Sequence, residues 1–103
     1  MKEEETTFSA FDCLVVTQVQ VFPFKPDASI GHVRALVNVV LNDQLIIRGL
    51  RVLDGENGLF VVYPFDPFYK GEEMRSLVKP LYHGLQEHIE NCVLEKFQQA
   101  IRG

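Results

Sequence analysis

From Leu81 to Ile101 a large apolar side chain returns at every fourth position: Leu81, Leu85, Ile89, Val93, Phe97 and Ile101, with Cys92 and Ala100 widening the stripe. Only an α-helix puts such a series on one face, and the spacing predicts a terminal helix of about five or six turns after Pro80. The opposite face is acidic and polar, carrying Gln86, Glu87, Glu90, Asn91, Glu95 and Gln98. A helix with one apolar stripe needs an apolar layer to lie on, and that layer has to come from the preceding sequence.

There the period is two. Between Cys13 and Phe22 the residues Val15, Thr17, Val19 and Val21 alternate with Val16, Gln18, Gln20 and Phe22, which predicts a first strand with a β-branched inner face. Pro23, Pro26, Asp27 and Gly31 then predict a connecting loop over Phe24 to His32. Val33 to Leu41 alternates again, with Val33, Ala35, Val37, Val39 and Leu41 on one face and Arg34, Leu36, Asn38 and Val40 on the other. Asn42 and Asp43 tolerate the left-handed backbone of a tight hairpin, so Leu45 to Leu53 returns antiparallel. The inner face of that third strand is ambiguous. Ile46, Leu50 and Val52 are interrupted by Arg48, while Leu45, Ile47 and Leu53 share their face with Arg51. Gly49 marks either a bulge or a close packing contact. Asp54 to Gly58 is the strongest turn signal in the chain and leads into Leu59 to Tyr63. Pro64 and Pro67 break the pattern, Lys70 to Glu73 reads as a solvated loop, and a short edge strand is expected from Met74 to Lys79. The fold class is therefore α+β: a small antiparallel β-meander of four to five strands with one C-terminal amphipathic helix packed on it.

With 103 residues, 47% of them apolar, the chain suits one domain with one core. Residues 11–103 are assigned to it. Residues 1–10 are acidic, then Ser/Thr-rich, with Phe8 as the one large apolar side chain, and are expected to form a disordered tail. The opening Met1, Lys2, Glu3, Glu4, Glu5 has neither the basic start nor the apolar centre of a signal peptide, and no apolar run is long enough for a bilayer. A cytoplasmic protein without membrane contact is expected. Cys13 and Cys92 stand far apart without CxxC or Cys/His spacing, which fits a reducing compartment and no structural zinc.

Catalytic chemistry finds no constellation. His83 and His88 are five apart and so lie well round the helix from each other, unlike helical zinc pairs, and His32 falls in a loop. No convergent acid, base and nucleophile can be named, so neither an enzyme, a cofactor nor a metal is expected. The Asp54 to Gly58 turn lacks the ligand series of a calcium loop and the Gly-Lys-Ser/Thr ending of a phosphate loop. The distinctive feature is aromatic: Phe22, Phe24, Phe60, Tyr63, Phe65, Phe68 and Tyr69 cluster in two proline-punctuated stretches. Such rings anchor protein interfaces or stack single-stranded bases. Base stacking normally works beside a cationic groove, and ten Lys plus Arg against fourteen Asp plus Glu leave a net charge of −4. Interface or core therefore outweighs a nucleotide platform.

The segment Ile47-Arg48-Gly49-Leu50-Arg51-Val52-Leu53-Asp54-Gly55-Glu56-Asn57-Gly58-Leu59-Phe60-Val61 resembles the signature of the SpoVG family, the septation regulators of bacteria. Val16 to Val19, Gly71 to Pro80 and Ile89 to Phe97 resemble its first strand, its glycine-to-proline segment and its terminal helix. The resemblance implies a bacterial cytoplasmic regulator, a homodimer joined through strand pairing, and roles in septum formation, sporulation or gene expression with direct binding of DNA or RNA by some members. It also implies basic contacts that this chain lacks. The stretch at the helix start reads His83, Gly84, Leu85, Gln86, then Glu87 and His88, and Phe22-Pro23-Phe24 replaces an arginine-rich strand end. Asp66 and Pro67 stand where the family has a basic pair. The cations left for a nucleic acid are Lys25, Arg34, Arg48, Arg51, Arg75 and Lys79, with Phe24 or Tyr63 as stacking rings. Arg51 has a structural reading as well, pairing with Asp54. The rival function is a protein-interaction module of the same fold, whose aromatic edge (Phe22, Phe24, Tyr63, Phe65, Phe68, Tyr69) recruits a protein partner.

Overall fold

Strand alternation and the helical stripe meet in one layered arrangement. In the computed structural model, which describes residues 13–25, 31–72 and 75–102, the elements are β1 (Val16–Pro23), β2 (Val33–Leu41), β3 (Leu45–Gly55), β4 (Gly58–Val62) and α1 (His83–Arg102). The tail expected over residues 1–10 lies outside the described residues. The strands form one antiparallel sheet in the order β1-β2-β3-β4, a meander in which every neighbour in space is a neighbour in sequence.

The face of β2 expected to be apolar is the centre of the core: Ala35, Val37, Val39 and Leu41 are buried, joined by Leu50 and Val52 of β3 and by Ile89, Val93 and Phe97 of α1. Both hairpins follow their turn chemistry. Asn42 and Asp43 each have φ of 53°, the left-handed geometry of a tight hairpin turn, closed by Gln44 N–H donating to Leu41 O at 2.9 Å; because Leu41 pairs with Leu45, the loop holds three residues, one more than the expected pair. The second turn is tighter than expected, because Asp54 and Gly55 stay in β3, paired with Leu59 and Gly58, and only Glu56 and Asn57 form the loop.

Three bulges decide which side chains reach the core. Val37 pairs with Leu50 but Asn38 with Arg48, so Gly49 is an extra residue in β3, and its φ of 92° suits glycine alone. The bulge resolves the ambiguity of that strand: Ile47, on the odd set, and Leu50 and Val52, on the even set, pack on the same side. Val16 pairs with Leu41 and Gln18 with Val40, which makes Thr17 an extra residue in β1. The expected inner face of Val15, Thr17, Val19 and Val21 is corrected accordingly: Val16, Val19 and Val21 pack on the core, while Val15 and Thr17 are exposed. The third bulge puts Arg34 between the pairs Val33–Leu53 and Ala35–Val52, which corrects the expected faces at the start of β2: Arg34, expected outward, lies toward Phe97 of α1, and Val33, expected inward, is not part of the core.

Two further expectations change. Within the described part of Met74 to Lys79 there is no strand but a single bridge, Ser76 opposite Phe65, flanked by Asp66 N–H donating to Arg75 O (2.7 Å) and Leu77 N–H to Pro64 O (2.8 Å). Pro64 and Pro67 lack the donors a longer ladder would need. The helix starts at His83, not Leu81: the Tyr82 carbonyl accepts from the amides of Leu85 (3.0 Å) and Gln86 (3.1 Å), and Leu81 lies outside it, 94% exposed. At the far end Ala100 and Ile101 are exposed too, so the working stripe is Leu85, Ile89, Val93 and Phe97.

A Cβ at Gly49 would meet nothing closer than Pro64 Cγ at 3.8 Å, so room is not the constraint; the positive φ is. Gly49→Ala is expected to lower unfolding stability by about 1–2 kcal/mol, read as a lower urea midpoint with an unchanged m-value.

Candidate functional site

With α1 on one face, pairing across the strands lays out the other. Phe22 lies opposite Leu36, Leu36 opposite Arg51, and Arg51 opposite Val62, a row that crosses all four strands. A second row runs Gln20–Asn38–Arg48, and Asn38 Nδ2–H donates to Gln20 Oε1 at 2.9 Å. A third holds Val33, Leu53 and Phe60. Phe22 is 52% exposed, Leu36 38% and Phe60 45%, so large apolar groups stand in solvent where a sheet face open to water ordinarily carries polar ones.

The six candidate cations are not gathered there. Arg48 and Arg51 belong to the open face, and the Arg51 guanidinium lies 5.3 Å from the centroid of the Phe65 ring. Arg34 points the other way: its guanidinium sits 5.9 Å from the ring of Phe97 on α1 and its Nη1 pairs with Asp54 Oδ2 at 3.4 Å. The structural role expected of Arg51 toward Asp54 is thus taken by Arg34. Arg75 stacks on Tyr69 at 5.5 Å in the segment after β4. Lys25 is exposed in the connection beyond β1, and Lys79 is exposed just before α1.

The aromatic set is likewise divided. Phe22 stands on the open face at β1 and Phe65 lies over Arg51 after β4, with the width of the sheet between their strands; Phe24 follows β1, its amide donating to Arg34 O at 2.8 Å. Phe68, 84% exposed, is held out by an Asx turn in which its amide donates to Asp66 Oδ1 at 2.9 Å. Tyr63 turns inward: its hydroxyl donates to Glu90 Oε2 (3.1 Å), which also accepts from Gln86 Nε2 (3.1 Å), tying the end of β4 to α1. Burial foremost, then the Glu90 charge and hydrogen bond, pushes the Tyr63 phenol far above its ordinary value. Leu36 was legible only as an outward position, and its place in a row with Phe22 and Arg51 needs the strand register.

One polar cluster escaped the reading of the sequence. His88 Nε2 accepts the Val16 amide at 3.0 Å, which assigns the proton of the neutral ring to Nδ1, 3.9 Å from Cys92 Sγ. The four-residue spacing of His88 and Cys92 on one helix was the available signal. The pair is not an activated nucleophile: burial, then Glu95, pushes the Cys92 thiol up, and His88 Nε2 is engaged by β1. His83 faces elsewhere, its Nε2 3.3 Å from Glu87 Oε2. Among the described residues no three His, Cys, Asp or Glu side chains come together as a metal site, and no helix is long and apolar enough to cross a membrane.

Arg34→Ala is expected to cost about 1–2 kcal/mol of stability, since it removes stem packing and a ring-stacked cation, whereas Arg48→Ala changes stability by less than about 0.5 kcal/mol; urea denaturation compares them. The raised Tyr63 phenol contributes stability that is complete below pH ~10 and is lost as pH rises through the folded-state value. Tyr63→Phe should therefore remove the latest-ionising component of the tyrosinate absorbance titration.

A SpoVG family model matches residues 14–99. The chain is 31% identical over 71 residues to the "Putative septation protein SpoVG" of Agathobacter rectalis, covering 69% of this chain and 80% of that protein. It is 34% identical over 70 residues to the protein of the same name from Oceanobacillus iheyensis, covering 68% and 72%. The one from Desulforudis audaxviator is 32% identical over 68 residues, covering 66% and 76%.

Proposed function

Because the chain belongs to the SpoVG family, we propose that it serves septation as a cytoplasmic, non-enzymatic regulator that works by binding a protein partner through the open face of its sheet. The observation that carries this reading is the row Phe22–Leu36–Arg51–Val62 with Phe60 beside it: apolar side chains and one ring-stacked arginine, the composition of an interface centre. Charge supports it. Of the candidate arginines 34, 48, 51 and 75, three are spent on aromatic rings, and the net charge is −4. A phosphate backbone would find few cations on one surface, and its affinity scales with their number.

The active form is proposed to be a homodimer made by strand pairing. β1 and β4 are the outer strands, and β1 is blunted by its bulge at Thr17 and by Pro23, so β4 is the edge more open to a second copy. A second reading is favoured by one observation: Arg48 and Arg51 occupy adjacent rows beside Gln20 and Asn38, a small polar and cationic strip that suits a nucleic-acid backbone.

The deciding experiment is capture of partners by the purified chain after nuclease treatment, with Phe22→Asp/Phe60→Asp and Arg48→Ala/Arg51→Ala as the two variants. Titrations against DNA fragments and RNA at several salt concentrations run alongside. Retention of a stoichiometric protein by the wild type and the arginine variant, and its loss in the folded Phe variant, is the expected result. Nucleic-acid binding that falls steeply with salt and disappears in the arginine variant would replace this reading with the second. Sedimentation showing a monomer would remove the dimer.

A further inference from the structure

On the helix side, away from the open face, the core is bordered by an apolar cleft open to solvent on one side. A cavity of about 160 Å³ lies between α1 and the β2–β3 end of the sheet, with Ile47, Leu50 and Ile89 among its walls and Val78 and Pro80 passing over it. Its size is that of cavities known to take up a benzene ring; an apolar void of about 150 Å³ stays dry and binds one.

Its polar lining is sparse and one-sided. The Tyr63 hydroxyl, the other polar side chain at the wall, already donates its hydrogen to Glu90. That leaves Lys79, which lines the cavity, is exposed to solvent and has no ion-pair partner among the described residues. An apolar cleft with one exposed lysine, Lys79, as the charged residue of its lining complements one kind of small molecule: an apolar body bearing one negative charge.

We propose that this cavity is a binding site for a small aromatic carboxylate, its ring against Ile47, Leu50 and Ile89 and its carboxylate on the Lys79 ammonium. The site is independent of the proposed protein-binding face, since it opens on the opposite side of the sheet. Seating a ring there removes apolar side chains of the cleft wall from water. It also fixes the segment Val78–Pro80 that leads into α1, so that occupancy is reported by the elements on which the open face is built.

Phenylacetate is the probe, with the neutral phenylacetamide as its control, followed by methyl-resolved NMR on the full chain. Phenylacetate is expected to shift the methyl signals of Ile47, Leu50, Val78 and Ile89 saturably, with a dissociation constant of about millimolar for a ligand of this size. Lys79→Met should weaken phenylacetate about threefold, the scale of a solvent-exposed ion pair, and leave phenylacetamide unchanged. Val78→Phe should abolish binding of both while the remaining methyl spectrum stays native. Absence of saturable shifts at ten times that concentration overturns the proposal. Equal binding of the acid and the amide, with no effect of Lys79→Met, overturns it as well. Methyl shifts that follow protein concentration without ligand would assign the cavity to a second copy of the chain, and so would also overturn it.

Discussion

The contact of Ile89, Val93 and Phe97 with the strip Ala35, Val37, Val39 and Leu41 is what makes one object of four strands and a helix. The inner residues of β2 form the middle of this cluster, while the helix backbone itself runs nearest β1. Removing the Phe97 ring would cost on the order of 3–5 kcal/mol, a large part of the stability of a domain this size. The same contact allocates the surfaces. A single helix covers most of a single face, so a macromolecule that docks on the sheet is left the face opposite or the outer strands, and the helix side keeps room only for something small.

How far the residues alone foretold this can be followed element by element. The four-residue stripe gave α1, the alternation gave β2 its correct inner face from Ala35 to Leu41 but not at Val33 and Arg34, which the bulge exchanges, and Asn42-Asp43 gave the first hairpin. These signals are local and periodic, and the side chains concerned obey one rule throughout an element. The failures sit where that rule is broken by one residue. Thr17 and Gly49 each insert an extra position, and every side chain beyond changes face, so strict alternation misassigned β1 and left β3 undecided. Gly49 was at least suspicious, because a glycine inside a strand wants a reason; Thr17 carried no such mark. Leu81 continued the helical spacing past the point where Pro80 and the Tyr82 carbonyl end it.

The candidate site was legible in kind and not in arrangement. That cations and rings were present is composition, but which ring each arginine would cover depends on register and on the helix. Arg34 and Phe97 are 63 positions apart in number and meet only because the sheet folds under α1. Their stacking changes the meaning of the charge inventory, since a guanidinium laid on a ring has one face fewer to offer. Membership of the family follows from the match over residues 14–99, whereas what this chain offers on its surface follows from its own register and stacking.

The meander also bears on how the chain reaches this state. Each strand pairs with the one just before it, so the sheet can zip by successive hairpins and little loop-closure entropy opposes it, which favours rapid folding. The exception is the seam between the two ends of the domain, where the Val16 amide meets His88 across a separation of 72 residues. That seam closes only once α1 has been made. A nascent chain thus holds a finished sheet with its inner face bare until the C-terminal helix emerges, and the interval between those events is when it most needs a chaperone.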